Sequence, residues 1–380
     1  MIQQNRLVEQ FLQLVRIDSE TKHEREISEA LKTLFGGELG LDVVEDDTAA
    51  VTGHGSGNLI CTLEATPDKA HLPAILFTCH MDTVTPGKGI KPRVDTDGYI
   101  RSDGTTILGS DDKAGIAAMI EAIRVLREQR ISHGKLLFVI TAGEESGLLG
   151  SRAMAERPSV PLKAKFGYAL DSNGRVGQIA VAAPTQARIQ ITIKGRSAHA
   201  GVNPEDGVSA IQVASKAISR MPLGRIDFET TANIGSFAGG GATNIVCERV
   251  DIAAEARSRE QAKLDRQLEA MKHACESAAQ DMGATVEFIS QVIYPAYKYD
   301  ESAPVVQLAM KALEKIGRQP GTFHTGGGSD ANMFNGMGIP TVNLAVGYEN
   351  IHTTEEQMPI SELTAVTELV VAIVTEAASE

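Results

Sequence analysis

Ala74-Ile75-Leu76-Phe77-Thr78-Cys79-His80-Met81-Asp82-Thr83 is the stretch on which the reading of this chain turns. Its first six residues are mostly apolar and do not alternate with polar ones, as in a strand buried on both faces. The run stops at a histidine. A second run of the same kind, Leu136-Leu137-Phe138-Val139-Ile140, stops at Thr141-Ala142-Gly143-Glu144-Glu145-Ser146-Gly147, and Leu59 to Leu63 is a third. Between the first two, Ile116 to Leu126 has helical periodicity. Strands alternating with helices predict a mainly parallel sheet with helices on both faces. In such a sheet, ligands gather beyond the carboxyl ends of the strands.

Working outward, Leu7, Phe11, Leu14 and Val15, then Ile27, Leu31, Leu34 and Phe35, recur at helical spacing and predict two opening helices. The pattern changes near residue 182. Ala187 to Lys194 alternates apolar with polar residues, as a strand with one wet face does. Val208 to Met221 and Gln261 to Met282 predict amphipathic helices. Ile245 to Ala256 and Ala284 to Ile289 predict half-exposed strands. After this block come a helix from Val305 to Ile316, a buried strand from Ile339 to Leu344 and a closing helix from Ile360 to Ala378. The expected organisation is therefore an α/β domain from 1–181 and 295–380, interrupted by an α+β insert over 182–294. A length of 380 residues fits two domains better than one core.

Composition excludes several classes of partner. The formal net charge of −13 argues against nucleic acid and anionic membranes, which require basic patches. The chain has no tryptophan and few other aromatics, which argues against a stacking surface for sugars or bases. Cys61, Cys79, Cys247 and Cys275 form no C-x-x-C and read as buried small hydrophobes in a reducing compartment. The N-terminus has no apolar signal core, and no apolar run is long enough to span a bilayer. The expected location is the cytoplasm.

Five residues form a candidate metal set. His80 ends a strand, and Asp82 two residues on can fix the tautomer of its ring. Asp111, in Gly109-Ser110-Asp111-Asp112-Lys113, precedes a helix; taken alone it also reads as an acidic N-cap. Glu144 and Glu145 adjoin at a strand end, where two carboxylates repel unless a cation or proton intervenes; a solvated turn is the alternative. Asp171 ends the strand of Tyr168-Ala169-Leu170, and His352 follows the last strand. Two histidines and three carboxylates without a thiolate suit zinc, and also cobalt or manganese. With one carboxylate shared, they suit two ions about 3.5–4 Å apart, a device that acidifies a bridging water and polarises a scissile carbonyl. Glu144 is the candidate general base.

The sequence resembles the co-catalytic zinc peptidase family that includes peptidase T and glutamate carboxypeptidase. The likeness runs through nearly the whole chain and is closest to the peptidase T-like branch. It rests on HMDTV at His80, DGTTILGSDDKAG from Asp103, ITAGEESGLLGS from Ile140 and SAHAG at Ser197. The resemblance implies that His80 and Asp171 hold one zinc, Glu145 and His352 the other, and that Asp111 bridges them. It implies that Asp82 orients His80 and that Glu144 is the general base and later the proton donor. It also implies a cis peptide at Asp111-Asp112, which is costly for a non-proline bond. The insert corresponds to the family's lid, which closes on substrate and whose edges can pair between subunits, so a homodimer is left open. There His199 is expected to stabilise the tetrahedral oxyanion, and Asn244 and Arg257 to touch substrate.

In one place the sequence departs from the pattern. Peptidase T carries an Arg directly before its Gly-Gly-Thr-Asp segment, where the peptide's terminal carboxylate is gripped. Here Gly326 takes that place in Thr325-Gly326-Gly327-Gly328-Ser329-Asp330, and glycine cannot replace a bidentate clamp. Ser329 and its neighbouring backbone N–H groups become the candidates for that contact. The expected activity is hydrolysis of short peptides from the N-terminus. Within the family, a carboxypeptidase or an N-acyl amino acid deacylase is the alternative. Outside it, the alternative is a binding protein that kept the fold and lost catalysis.

Overall fold

A computed structural model describes residues 2–379 as two compact units. One comprises the chain up to Ala182, Tyr299–Thr325 and the chain from Ser329; the other comprises Ala183–Lys298 with Gly326–Gly328. Sequence patterning placed the insert at 182–294.

The first unit is built on a sheet whose strands lie side by side in the order Asp42–Glu45, Leu59–Leu63, Leu136–Thr141, Ile75–His80, Phe166–Ser172, Thr341–Ala345 and Gln178–Ala183. Gly321–His324 pairs with the last of these. The four central strands, from Leu136–Thr141 to Thr341–Ala345, are mutually parallel, so their carboxyl ends share one edge. Their side chains divide between two cores, as the period of two requires. Ile75, Phe77, Leu136, Phe138 and Ile140 face one core, covered by the helices Gln4–Val15, Ser110–Glu128, Pro304–Lys315 and Ile360–Ala377. Leu76, Leu137 and Val139 face the other, against Met154 of Leu149–Glu156 and Phe334 of Asp330–Gly336. Burial on both faces explains why the strand sequences show no alternation. Among the described residues, no helix is long and apolar enough to cross a membrane.

The second unit is an antiparallel sheet ordered Gly224–Arg225, Thr230–Gly239, Arg249–Ser258, Thr185–Lys194, Thr285–Tyr294. Ala187, Ile189, Ile191 and Ile193 point into a core with Ala210–Arg220 and Gln261–Met282, the two amphipathic helices. Two details differ from the sequence reading. The strand expected from Ile245 begins only at Arg249, because residues 244–246 pair elsewhere: Ala200 N–H donates to Asn244 O at 2.9 Å and Val246 N–H to Ala198 O at 2.9 Å. The strand Thr230–Gly239 was not expected; two glycines and a register shift between Ile234 and Ser236 hide its alternation. Of the four cysteines, Cys61, Cys79 and Cys275 are buried, whereas Cys247 is half-buried on this unit's surface.

Candidate active site

The shared edge of the four parallel strands brings the candidate ligands together. His80 is the last residue of its strand and fully buried. Its Nε2 lies 3.0 Å from Asp111 Oδ1 and 3.7 Å from Asp171 Oδ1. On the other side of Asp111, Oδ2 lies 3.2 Å from His352 Nε2, which is itself 3.0 Å from Glu145 Oε1. Asp111 thus presents one oxygen to each histidine. Two ligand triads follow, His80–Asp111–Asp171 and Asp111–Glu145–His352, with the ligand atoms of each within 4.8 Å of one another. The combination His80–Glu144–Glu145 meets the same limit. The donors are imidazole nitrogens and carboxylate oxygens only, a set that fits divalent ions of the zinc type. The peptide bond Asp111-Asp112 is cis.

Asp82 meets His80 with its backbone nearer than its carboxylate. The proton acceptor nearest to His80 Nδ1 is the main-chain oxygen of Asp82, at 2.9 Å, while the Asp82 carboxylate stands 3.6 Å away. That carboxylate instead accepts the backbone N–H groups of Glu144 at 3.0 Å and Glu145 at 3.2 Å. The residue therefore fixes the His80 ring through its backbone and the glutamate turn through its side chain. Behind that turn, a Cβ on Gly143 would lie 2.4 Å from His54 Nε2, and Gly143 has φ +69°, so glycine is required there.

Several supports have no signal in the sequence. Asn343, on the last central strand, accepts the Asp171 N–H at 3.0 Å and donates to Asp171 O at 3.0 Å and to Ser329 Oγ at 3.1 Å. Buried Asp330 accepts the hydroxyls of Thr141 and Ser151. Buried Glu356 accepts four hydrogen bonds from Leu108 to Asp111. Asp330 and Glu356 carry no local signal of burial; Asn343 lies in a strand read as buried, but nothing local names its partners. Ser329, expected near a substrate carboxylate, is buried and caps the helix Asp330–Gly336: its Oγ accepts from Ala331 N as well as from Asn343.

Charge sets the state of the cluster. Burial, with the charge of Asp171 beside it, pushes the Glu144 carboxyl well above the usual range. Burial also raises Asp171, to about 7. Hydrogen bonds to Asp111 and Glu145 raise His352 to about 10. For His80, burial disfavours the cation, but the carboxylates of Asp111, Asp171 and Asp82 outweigh it and hold the pKa well above its ordinary value. Carboxylates packed this closely need protons or divalent cations to balance them.

In the second unit, His199 is exposed and its Nδ1 accepts the Gly201 N–H at 3.1 Å, so a neutral ring carries its proton on Nε2. Asn244 is exposed on the segment paired with residues 198–200. Arg257 is held by both oxygens of Glu255, at 2.9 and 3.0 Å, and its Nη1 lies 3.5 Å from Gly326 O.

A parallel sheet whose carboxyl edge carries two ligand triads sharing one aspartate, with a protonatable glutamate beside them, defines a metal-dependent hydrolase. The chain matches peptidase family M20/M25/M40 over residues 76–376 and belongs to that family. It is a peptidase. It is similar to the aminopeptidase PepT of Bacillus cereus ATCC 10987, at 59% identity and a TM-score of 0.91, with 99% of each chain covered. It is also similar to a tripeptidase of Staphylococcus aureus Mu50, at 47% identity and a TM-score of 0.94, with all of both chains covered. Peptidase T of Lysinibacillus sphaericus is 27% identical over 97% of each chain.

Proposed function

We propose that this chain is a two-metal exopeptidase that removes the N-terminal residue of short peptides, tripeptides above all. The observation that carries the reading is Asp111, whose two oxygens face His80 Nε2 at 3.0 Å and His352 Nε2 at 3.2 Å. In this reading His80 and Asp171 hold one ion, Glu145 and His352 the other, and Asp111 both. Zinc is the ion the donor set favours, with cobalt or manganese able to substitute. When bound, the ions acidify a shared water and polarise the scissile carbonyl. Glu144 takes the water's proton and delivers it to the departing amine, a task suited to a carboxyl whose proton affinity is raised by burial. His199, with Nε2–H free, is assigned the donor to the oxyanion, and Asn244 and Arg257 are assigned to the substrate.

With glycine at position 326, we assign recognition of the peptide's carboxylate to Arg257 in place of Ser329, because the guanidinium keeps Nη1 outside its bidentate pair with Glu255. The similarity to an aminopeptidase and a tripeptidase supports the exopeptidase direction. The matching setting is the cytoplasm, with a small peptide as substrate and a homodimer left open. The test is a panel of free dipeptides, free tripeptides, N-acetylated tripeptides and N-acyl amino acids, assayed with metal-replete protein. Release of the first residue from free tripeptides is expected. Turnover confined to the acylated compounds would overturn the aminopeptidase reading in favour of a deacylase.

A further inference from the structure

We propose that Glu356 is a positioning residue that fixes the second metal site by joining the loop of His352 to the loop of Asp111. The inference rests on reading Asp111, Glu145 and His352 as that site. Glu356 is 2% exposed, and its four partners are all uncharged donors of one short segment. Oε2 accepts the N–H groups of Leu108 at 2.8 Å and Gly109 at 2.9 Å. Oε1 accepts Ser110 Oγ at 2.5 Å and the Asp111 N–H at 3.1 Å. Gly109, at φ +74°, turns successive N–H groups inward, so residues 108–111 form a concave anion receptor. Its anion is a side chain of the same protein.

The position of Glu356 in its own loop gives that contact its meaning. Residues 349 and 357 close the loop at its base, with reciprocal backbone bonds of 2.9 and 3.0 Å. His352 sits at the exposed tip, with φ +63°, in the left-handed region that few non-glycine residues adopt. Within the tip, Thr353 Oγ1 donates to Asn350 O at 2.7 Å and the Glu356 N–H to Thr353 O at 3.2 Å. The tip is thus stiff internally, and Glu356 is its anchor on the segment that carries Asp111. This carboxylate ties the segment of Asp111 directly to the loop of His352. His80 and Asp171, held on strand ends, do not depend on it.

The carboxylate can be tested by its amide. Glu356→Gln keeps the shape but turns an NH2 towards backbone N–H groups. Ser110→Ala removes one donor of the four and serves as the milder variant. Metal-stripped full-length protein is titrated with cobalt(II), followed by calorimetry and by the visible absorption of the bound ion. The native chain is expected to bind two ions. Glu356→Gln should weaken the ion at Glu145 and His352 about 10- to 100-fold, as loss of an outer-shell partner does, and the other, which shares only Asp111 with it, by much less. Ser110→Ala should show a smaller loss at the same ion. Peptide hydrolysis by Glu356→Gln should return when cobalt is raised to saturate the weak site.

Two results would overturn the proposal. If both ions bind Glu356→Gln as they bind the native chain, Glu356 does not position the site. If both affinities and the melting temperature fall together, without rescue by metal, its role is general packing. A native chain that takes up only one ion would overturn the two-metal reading itself.

Discussion

Replacing Asp82 by asparagine separates two roles that the structure assigns to different atoms of one residue. The main-chain oxygen holds His80 Nδ1 at 2.9 Å, and asparagine leaves it in place. The carboxylate accepts the N–H groups of Glu144 and Glu145, at 3.0 and 3.2 Å. Asparagine can satisfy only one of them and turns its own NH2 towards the other. The loss is one charge-assisted hydrogen bond, about 1.5–3 kcal/mol, in the geometry of the turn that carries the general base. At about 1.4 kcal/mol for each tenfold change, kcat should fall about 10- to 150-fold. Metal content should stay native, because the His80 ring keeps its orientation. The assay is kcat for a free tripeptide beside metal analysis of the same preparation. The reasoning fails if Asp82→Asn loses the ion at His80 yet turns over normally once reloaded. The carboxylate, 3.6 Å from Nδ1, would then act on the imidazole and not on the turn.

Glu144→Gln should lower kcat by about 10²- to 10⁴-fold with both metals retained; parallel loss of metal would mean that Glu144 is a ligand and that its role is exchanged with that of Glu145. Asp111→Ala should cost both ions, because the two triads assigned to them share that residue; a variant that still binds a full pair by metal analysis would show that Asp111 does not bridge. Metal affinity should rise with pH. His352 in the metal-free fold keeps its proton up to about pH 10 and must release it to ligate, so alkali removes the competitor. Calorimetric titrations in buffers of different ionisation enthalpy should record proton release on metal binding at neutral pH; a buffer-independent heat would refute it.

The sequence discloses residues whose role depends on their place along a strand and conceals those whose role depends on what folds back against them. Ile75 to His80 and Leu136 to Thr141 are legible because burial on both faces leaves an unbroken apolar run, and the polar residue at the end of each marks the sheet edge. The parallel arrangement of the four central strands puts those ends on one edge, where His80, Glu145 and Asp171 lie. The strand Thr185–Lys194 was legible from the alternation of Ala187 to Lys194. Thr230–Gly239 was not, because glycines and a bulge replace its apolar positions. Asp330 looks like an ordinary polar residue in the sequence and Asn343 like one member of a buried strand; they become supports only when Asp171, Thr141 and Ser151 are brought to them from more than 150 residues away.

Hydrogen bonding sorts the acidic residues of the site more sharply than their positions in the chain do. The carboxylates of Asp82, Glu356 and Asp330 have their oxygens occupied by N–H or O–H donors of the protein. A carboxylate so satisfied has little left to offer a cation and serves to hold backbone or side chains in place. Asp111 and Glu145 instead point oxygens at histidine nitrogens, which a cation between them would displace from each other's hydrogen bonds. Asp171 is intermediate, with His80 at 3.7 Å and the Tyr348 hydroxyl at 3.4 Å. The Glu144 carboxylate is the exception, with no hydrogen bond among the described residues, although its backbone is fixed by Asp82. A carboxylate held in place at its main chain but left free at its oxygens is what a group that must take up and then give away a proton requires.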